Sequence, residues 1–193
     1  MQPNTTTPTK NEERRTSTRR ELDLDALSRM DSEALGRLFA EGTVPESLAE
    51  LDGHPRGRML AVRRLDRGLV SRALGRFAAA ARFPWGGKSF RARGATEGTG
   101  VNRVHLGGRH QLFPFETRIE ASAVDGAPAV VLDYDLADNP GFIRAIHDEV
   151  RRVDRGLYLG PAMWKTAGGP VLVLWFALDT EAQARGIGER ARP

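Results

Sequence analysis

The chain contains no cysteine. That excludes a disulfide framework, a thiolate metal site and a thiol nucleophile, and it suits a reducing compartment, so a cytoplasmic location is the default expectation. Histidine is scarce, with 4 residues and no His-x-x-x-His spacing, so no metal site is expected. No apolar run approaches the roughly 20 residues needed to cross a bilayer. The run "VLVLWFAL" is far shorter, and the N-terminus has no apolar signal-like stretch. Phosphate-binding fingerprints are missing too. "WGGKSF" lacks the full Gly-x-x-x-x-Gly-Lys-Ser/Thr spacing, "GATEGTG" fails the dinucleotide pattern, and there is no Gly-x-Ser-x-Gly elbow, so no cofactor is expected.

Lysine is the other rarity, since 26 of the 29 basic residues are arginine. The net charge of +4 is unevenly placed: Lys10, Arg14, Arg15, Arg19 and Arg20 against Glu12 and Glu13 leave residues 21–193 close to neutral. The high pI therefore records arginine content, and a DNA-binding face on the body is not indicated.

With 193 residues the chain suits one domain with a well-filled core and a tail. Residues 1–20 carry Thr, Pro, Asn and charge but only Met1 as a large apolar side chain, which predicts a disordered tail. Residues 181–193 read as a second, C-terminal tail. Between them, residues 21–82 read as helical. Leu22, Leu24, Leu27, Met30, Leu35, Leu38 and Phe39 recur at helical spacing, with Asp31 or Ser32 as a natural N-cap. A longer amphipathic helix follows over 58–82, with Met59, Val62, Leu65, Leu69, Ala73 and Phe77 on one face and arginines elsewhere.

Beyond "FPWGG" the apolar period changes to two. Six strands are predicted over 88–93, 101–106, 110–122, 127–136, 157–165 and 171–178, with Asp-Gly and Gly-Gly pairs marking hairpins at "SAVDGAP" and "KTAGGP". Between the fourth and fifth strands, Phe142, Ile143, Ile146 and Val150 suggest a helix capped by Asn139, with Pro140 in its first position. The last strand is apolar on both faces: Val171, Val173, Trp175 and Ala177 on one, Leu172, Leu174, Phe176 and Leu178 on the other. Such a strand must be covered twice, by the interior of a curved sheet and by a helix, and the helix over 58–82 is the expected cover. The predicted class is α+β: N-terminal helices packed on a strongly curved, mainly antiparallel sheet or barrel spanning 83–180, with one helix inserted before the last hairpin.

The succession "LDGHPRG", "FPWGGKSF", "FPFETRIEASAVDGAPAVVLDYD" and "DEVRRVDRGLYLG", closing on an apolar strand, resembles small lipocalin-like, calycin-type β-barrel proteins of bacteria. The resemblance implies a carrier of small lipophilic molecules, occasionally an enzyme built on the same cavity. The six strands are fewer than the eight of such barrels, so closure is left open. Candidate ligand-lining residues are Trp85, Phe113, Phe115, Tyr134, Trp164 and Trp175, with Tyr158 and Phe176 as further interior aromatics.

Two other classes stay open. Asp133 and Asp135 share a strand face roughly 7 Å apart, and His147 sits beside Asp148 and Glu149, so an isomerase, cyclase or lyase could draw acid/base groups from Asp133 or Asp135 and His147. His105 and His110 are further candidates. Alternatively, the basic helix over 58–82 could serve as a protein or membrane-surface interaction module. No transmembrane segment and no nucleic-acid partner are expected, and the sequence leaves the oligomeric state open.

Overall fold

The structure, a computed structural model, describes residues 22–62, 85–105 and 107–183. The predicted tail over 1–20 and most of the predicted helix over 58–82 lie outside them. The elements run α1 (Leu24–Ser28), α2 (Ser32–Glu41), a 3-10 turn (Leu48–Leu51), β1 (Pro55–Val62), β2 (Trp85–Ala92), β3 (Glu97–His105), β4 (Arg109–Ala121), β5 (Pro128–Asp133), α3 (Gly141–Arg144), β6 (Ile146–Asp154), β7 (Leu157–Trp164) and β8 (Val171–Gln183). Each strand pairs antiparallel with the next, and β8 pairs back onto β1. The result is a closed, eight-stranded, up-and-down barrel with few helices. Closure removes both sheet edges, so every strand has two hydrogen-bonded neighbours.

Two of the eight strands replace predicted helices. Residues 58–62, expected to begin the long helix, belong to β1, which bonds to β8 through pairs such as Arg58 with Ala177 and Met59 with Phe176. The expected helix over 139–153 is one turn, α3, followed directly by β6. Asn139 does not cap it: its amide instead donates to the carbonyls of Pro114 and Tyr134, both at 2.8 Å. Elsewhere the local signals hold. Asp31 caps α2 by accepting from the Ala34 N–H at 2.8 Å, and Asp23 caps α1 through the Ala26 N–H at 2.6 Å.

β8 is buried on both faces, as its composition requires. Leu174, Phe176 and Leu178 enter the barrel interior, while Trp175 and Ala177 face outward into a second cluster with Leu24, Leu27, Leu35 and Phe39. The cover is therefore α1 and α2, the short N-terminal helices. Trp175 packs on Phe39 with ring centroids 5.7 Å apart and donates its indole N–H to Ser32 Oγ at 3.0 Å. Arg151, fully buried on the outside of β6, locks the end of α2 in place. Its guanidinium lies 4.4 Å from the Phe39 ring centroid, pairs with both Asp125 oxygens, and donates to the Phe39 and Ala127 carbonyls.

The two barrel ends differ. At one, the 3-10 turn is a plug: Leu48 and Leu51 join the interior cluster, and the Leu48 N–H bonds to the Ala95 carbonyl at 2.8 Å. At the opposite end lie the β1–β2, β3–β4, β5–β6 and β7–β8 connections, among them the long described segment 134–145 between β5 and β6. No helix among the described residues is long and apolar enough to cross a membrane.

Candidate functional site

Inside the barrel, toward the long-loop end, sits a buried polar cluster in an aromatic shell. It begins with the Gly86–Gly87 pair of "WGGKSF". Across the β2–β3 ladder Trp85 faces Val104 and Gly87 faces Arg103, so one extra β2 residue forms a bulge. Gly87 has φ +112°, and a Cβ there would lie 2.5 Å from the Pro55 carbonyl oxygen. The bulge lets Trp85 and Lys88 both enter the interior although three positions separate them, where a regular strand would send them to opposite faces. The glycine pair thus aims a lysine into the interior.

Lys88 is almost wholly buried, and all three of its ammonium hydrogens are used. It donates to Asp148 Oδ2 at 2.9 Å, Asn102 Oδ1 at 2.9 Å and the Tyr134 hydroxyl at 2.5 Å. Tyr134 donates in turn to Asp148 Oδ2 at 2.9 Å, and Asn102 gives its amide to the Tyr134 oxygen at 3.2 Å and the Phe113 carbonyl at 3.3 Å. The Trp85 indole N–H closes the set on Asn102 Oδ1 at 3.1 Å. Around the ammonium stand the rings of Phe176, Tyr134, Phe115 and Trp85, with centroids 5.0 to 5.5 Å away. Their π faces add to the attraction that holds a cation out of water.

β2 and β6 are four strands apart in either direction around an eight-stranded barrel, so they face one another across it. The Lys88–Asp148 ion pair is therefore a bar through the lumen. On the plug side of the bar Phe90, Val130, Val150, Tyr158 and Leu178 are buried in the interior, with Ala92 and Ile119 partly buried at the ends of β2 and β4. On the long-loop side Ile143, Ile146 and Leu174 are buried, while the large side chains Met59, Trp85, Phe113 and Trp164 are only partly buried. Phe113 occupies a bulge in β4, where Val101 faces Pro114 and Asn102 faces Leu112, and it has φ +61°. A non-glycine residue in this left-handed region costs on the order of 1 kcal/mol or more. Its carbonyl is held by Asn102, so the polar cluster and the strained aromatic support each other.

Burial depresses the Lys88 ammonium below the ordinary lysine range, and the facing Asp148 carboxylate opposes that shift. The Tyr134 hydroxyl is pushed well above the usual phenol range, by burial first and by Asp148 second. Tyr134 thus stays protonated and remains a donor to the carboxylate. One valence is left over: Asp148 Oδ1 is buried and has no hydrogen-bond partner among the described residues.

The sequence-based site residues divide between inside and outside. Trp85, Phe113, Phe115, Tyr134 and Trp164 belong to the interior cluster, as does Phe176. Trp175 does not, because it faces α1 and α2. Asp133, Asp135 and His147 also lie away from the lumen. Leu132 and Tyr134 point inward, which sends Asp133 outward, where it pairs with Lys165 at 3.1 Å and Arg118 at 3.4 Å. Burial acts to raise the Asp133 carboxyl, but the Asp135 N–H and these cations outweigh it and hold it below the usual range. Asp135 pairs with Arg144 at 2.6 Å. His147 stands opposite Asp133 in the β5–β6 ladder, but its Nε2 engages Glu149 Oε1 at 2.9 Å. His105 and His110 lie exposed at the long-loop ends of β3 and β4. Among the described residues no cluster of His, Asp and Glu has the makings of a metal site.

Sequence reasoning missed Lys88, Asn102 and Asp148. Lys88 carried a signal: counted along β2, it shares its alternation with the apolar Phe90 and Ala92. Asp148 carried none while β6 was read as a helix.

A concavity of about 640 Å³ lies outside the barrel at its plug end, between the α2–β1 segment and the β6–β7 hairpin. Its lining is mostly charged, and its groups pair with one another, Arg152 with Glu50 at 2.9 Å and Arg155 with Glu181 at 3.0 Å.

No family model matches the chain, and no curated protein matches it. Among solved structures it is similar to the crystal structure of a protein from Thermomonospora curvata. The two share 19% identity over 78% of this chain and 87% of that one, with a TM-score of 0.43.

Proposed function

We propose that this protein binds a small, mainly apolar molecule in the long-loop half of the barrel, in the manner of lipocalin-like barrels. The observation that carries the reading is that large apolar side chains are left partly uncovered at one mouth of the lumen. The aromatic rings Phe90 and Tyr158 on the plug side are buried, whereas Trp85, Phe113 and Trp164, with Met59, toward the opposite end are only partly buried. Eight strands enclose an interior that side chains can fill or that can hold one small ligand, and mouths of barrels are common ligand sites. An acid/base enzyme built on Asp133, Asp135 and His147 draws no support, since all three face outward, the two aspartates in ion pairs and His147 in a hydrogen bond with Glu149. The interaction-module reading loses residues 58–62, which β1 uses.

Titration with a neutral, environment-sensitive dye tests the proposal. Saturable one-to-one binding is expected. Trp85→Ala and Trp164→Ala should each weaken it by about 1 to 3 kcal/mol through lost contact area. Trp175→Phe, on the outer face, should leave affinity unchanged. Absence of saturable binding, or equal sensitivity at Trp175, would overturn the reading.

A further inference from the structure

We infer that the ligand carries an uncharged hydrogen-bond donor, a hydroxyl or an amide-type N–H, which bonds to Asp148 Oδ1; this rests on the cavity reading above. The inference follows from the valences of the cluster. Lys88 spends its three hydrogens on Asp148 Oδ2, Asn102 Oδ1 and the Tyr134 oxygen. Tyr134 spends its hydrogen on Asp148 Oδ2, Asn102 spends both amide hydrogens on Phe113 and Tyr134, and Trp85 spends its indole hydrogen on Asn102. None of these four residues has a donor left, while Asp148 Oδ1 is an acceptor without a partner. A buried carboxylate oxygen with no donor is costly, and buried charged groups in folded proteins normally find one.

The same arrangement selects charge. Lys88 and Asp148 already neutralise each other at 2.9 Å. A ligand carboxylate would meet the bare Asp148 oxygen with no free hydrogen in the cluster to receive it, and like charges at contact repel. A ligand ammonium could donate to Oδ1 but would bring a second cation beside Lys88 within the same aromatic shell. A neutral donor satisfies the oxygen and adds no charge. Asp148 lies on the inward face of β6 between Ile146 and Val150, so the donor group would lead into the barrel and the apolar body would rest among Trp85, Phe113 and Trp164.

The experiment compares four probes of one shape at neutral pH by calorimetry: naphthalene, naphthol, naphthoate and protonated naphthylmethylamine. Naphthol should bind about 10-fold or more tighter than naphthalene, the gain of a hydrogen bond to a charged acceptor. Naphthoate should bind no better than naphthalene, and the ammonium should be weaker than naphthol. In the paired variant Lys88→Met/Asp148→Val the preference for naphthol over naphthalene should vanish. Equal binding of naphthol and naphthalene by the wild type would overturn the donor inference and leave the cavity reading standing, because solvent would then satisfy Oδ1. Preference for naphthoate would also overturn it. Failure of every probe to bind would overturn both. The wild-type series decides the matter without the variant should the variant not fold.

Discussion

Replacing Lys88 with Met removes a charge and three hydrogen bonds while nearly conserving volume. With N and O 2.9 Å apart, an effective dielectric of about 20 gives roughly 6 kcal/mol of attraction between the partners. Against this stands a desolvation cost of several kcal/mol for each ion, so the intact pair contributes little net stability. Deleting one partner is different, because the other is then stranded in an apolar interior. Lys88→Met leaves Asp148 with one donor, Tyr134, and should cost about 3 to 5 kcal/mol, the range for a broken buried pair. Lys88→Met/Asp148→Val removes both charges together. Tyr134 still accepts from Asn102 at 3.2 Å and Trp85 still bonds to Asn102, but the Tyr134 hydrogen loses its acceptor, so the double variant should fall between wild type and the single variant. Urea unfolding of the four proteins in a double-mutant cycle measures this, with constant m-values confirming a common unfolded reference. A single variant that loses less than about 1 kcal/mol, or a double variant as unstable as the single, would refute the buried bar.

Trp175 and Phe176 point to opposite faces of β8 and are both buried, so each Ala substitution should cost about 3 to 5 kcal/mol in denaturant titration. A low cost at Trp175 alone would mean that α1 and α2 do not cover the strand. A Cβ on Gly160 would sit 1.8 Å from the Glu149 carbonyl oxygen across the β6–β7 ladder, so Gly160→Ala should reach or exceed the upper end of the roughly 1 to 3 kcal/mol typical of overpacking. Acid titration should reveal Glu149. Burial acts to raise its carboxyl, but His147, Ser122 and the Ala123 N–H outweigh that and set it below 4.5. A carboxyl depressed on folding contributes stability above its unfolded pKa and loses it as pH falls through the folded value, so wild-type stability should decline below about pH 4.5. Glu149→Gln cannot titrate, and should be less stable at neutral pH with a flatter acid limb; an unchanged acid limb would exclude this role.

Much of the barrel was written locally. The alternation along β4, with Phe115 and Ile119 inside and Glu116, Arg118 and Glu120 outside in mutual ion pairs, is visible in order along the chain. So are the Asp125–Gly126 hairpin, the Asp31 cap and the demand of β8 for two covers. These signals depend on neighbours a few residues apart, which sequence periodicity reports directly. β1 and β6 were illegible for the converse reason. In "GFIRAIHDEVRRV" the apolar residues suit a helical face, and as a strand the stretch places Asp148 on the interior side and Glu149 and Arg151 beneath loops and α2. Each of those charges is tolerable only because of a partner far along the chain: Lys88, 60 residues before Asp148; Ser122, 27 residues before Glu149; and Asp125, 26 residues before Arg151. Closure of β8 onto β1 brings β2 opposite β6, and that juxtaposition, which no local pattern encodes, turns an isolated lysine on an apolar strand face into the polar bar of the candidate site.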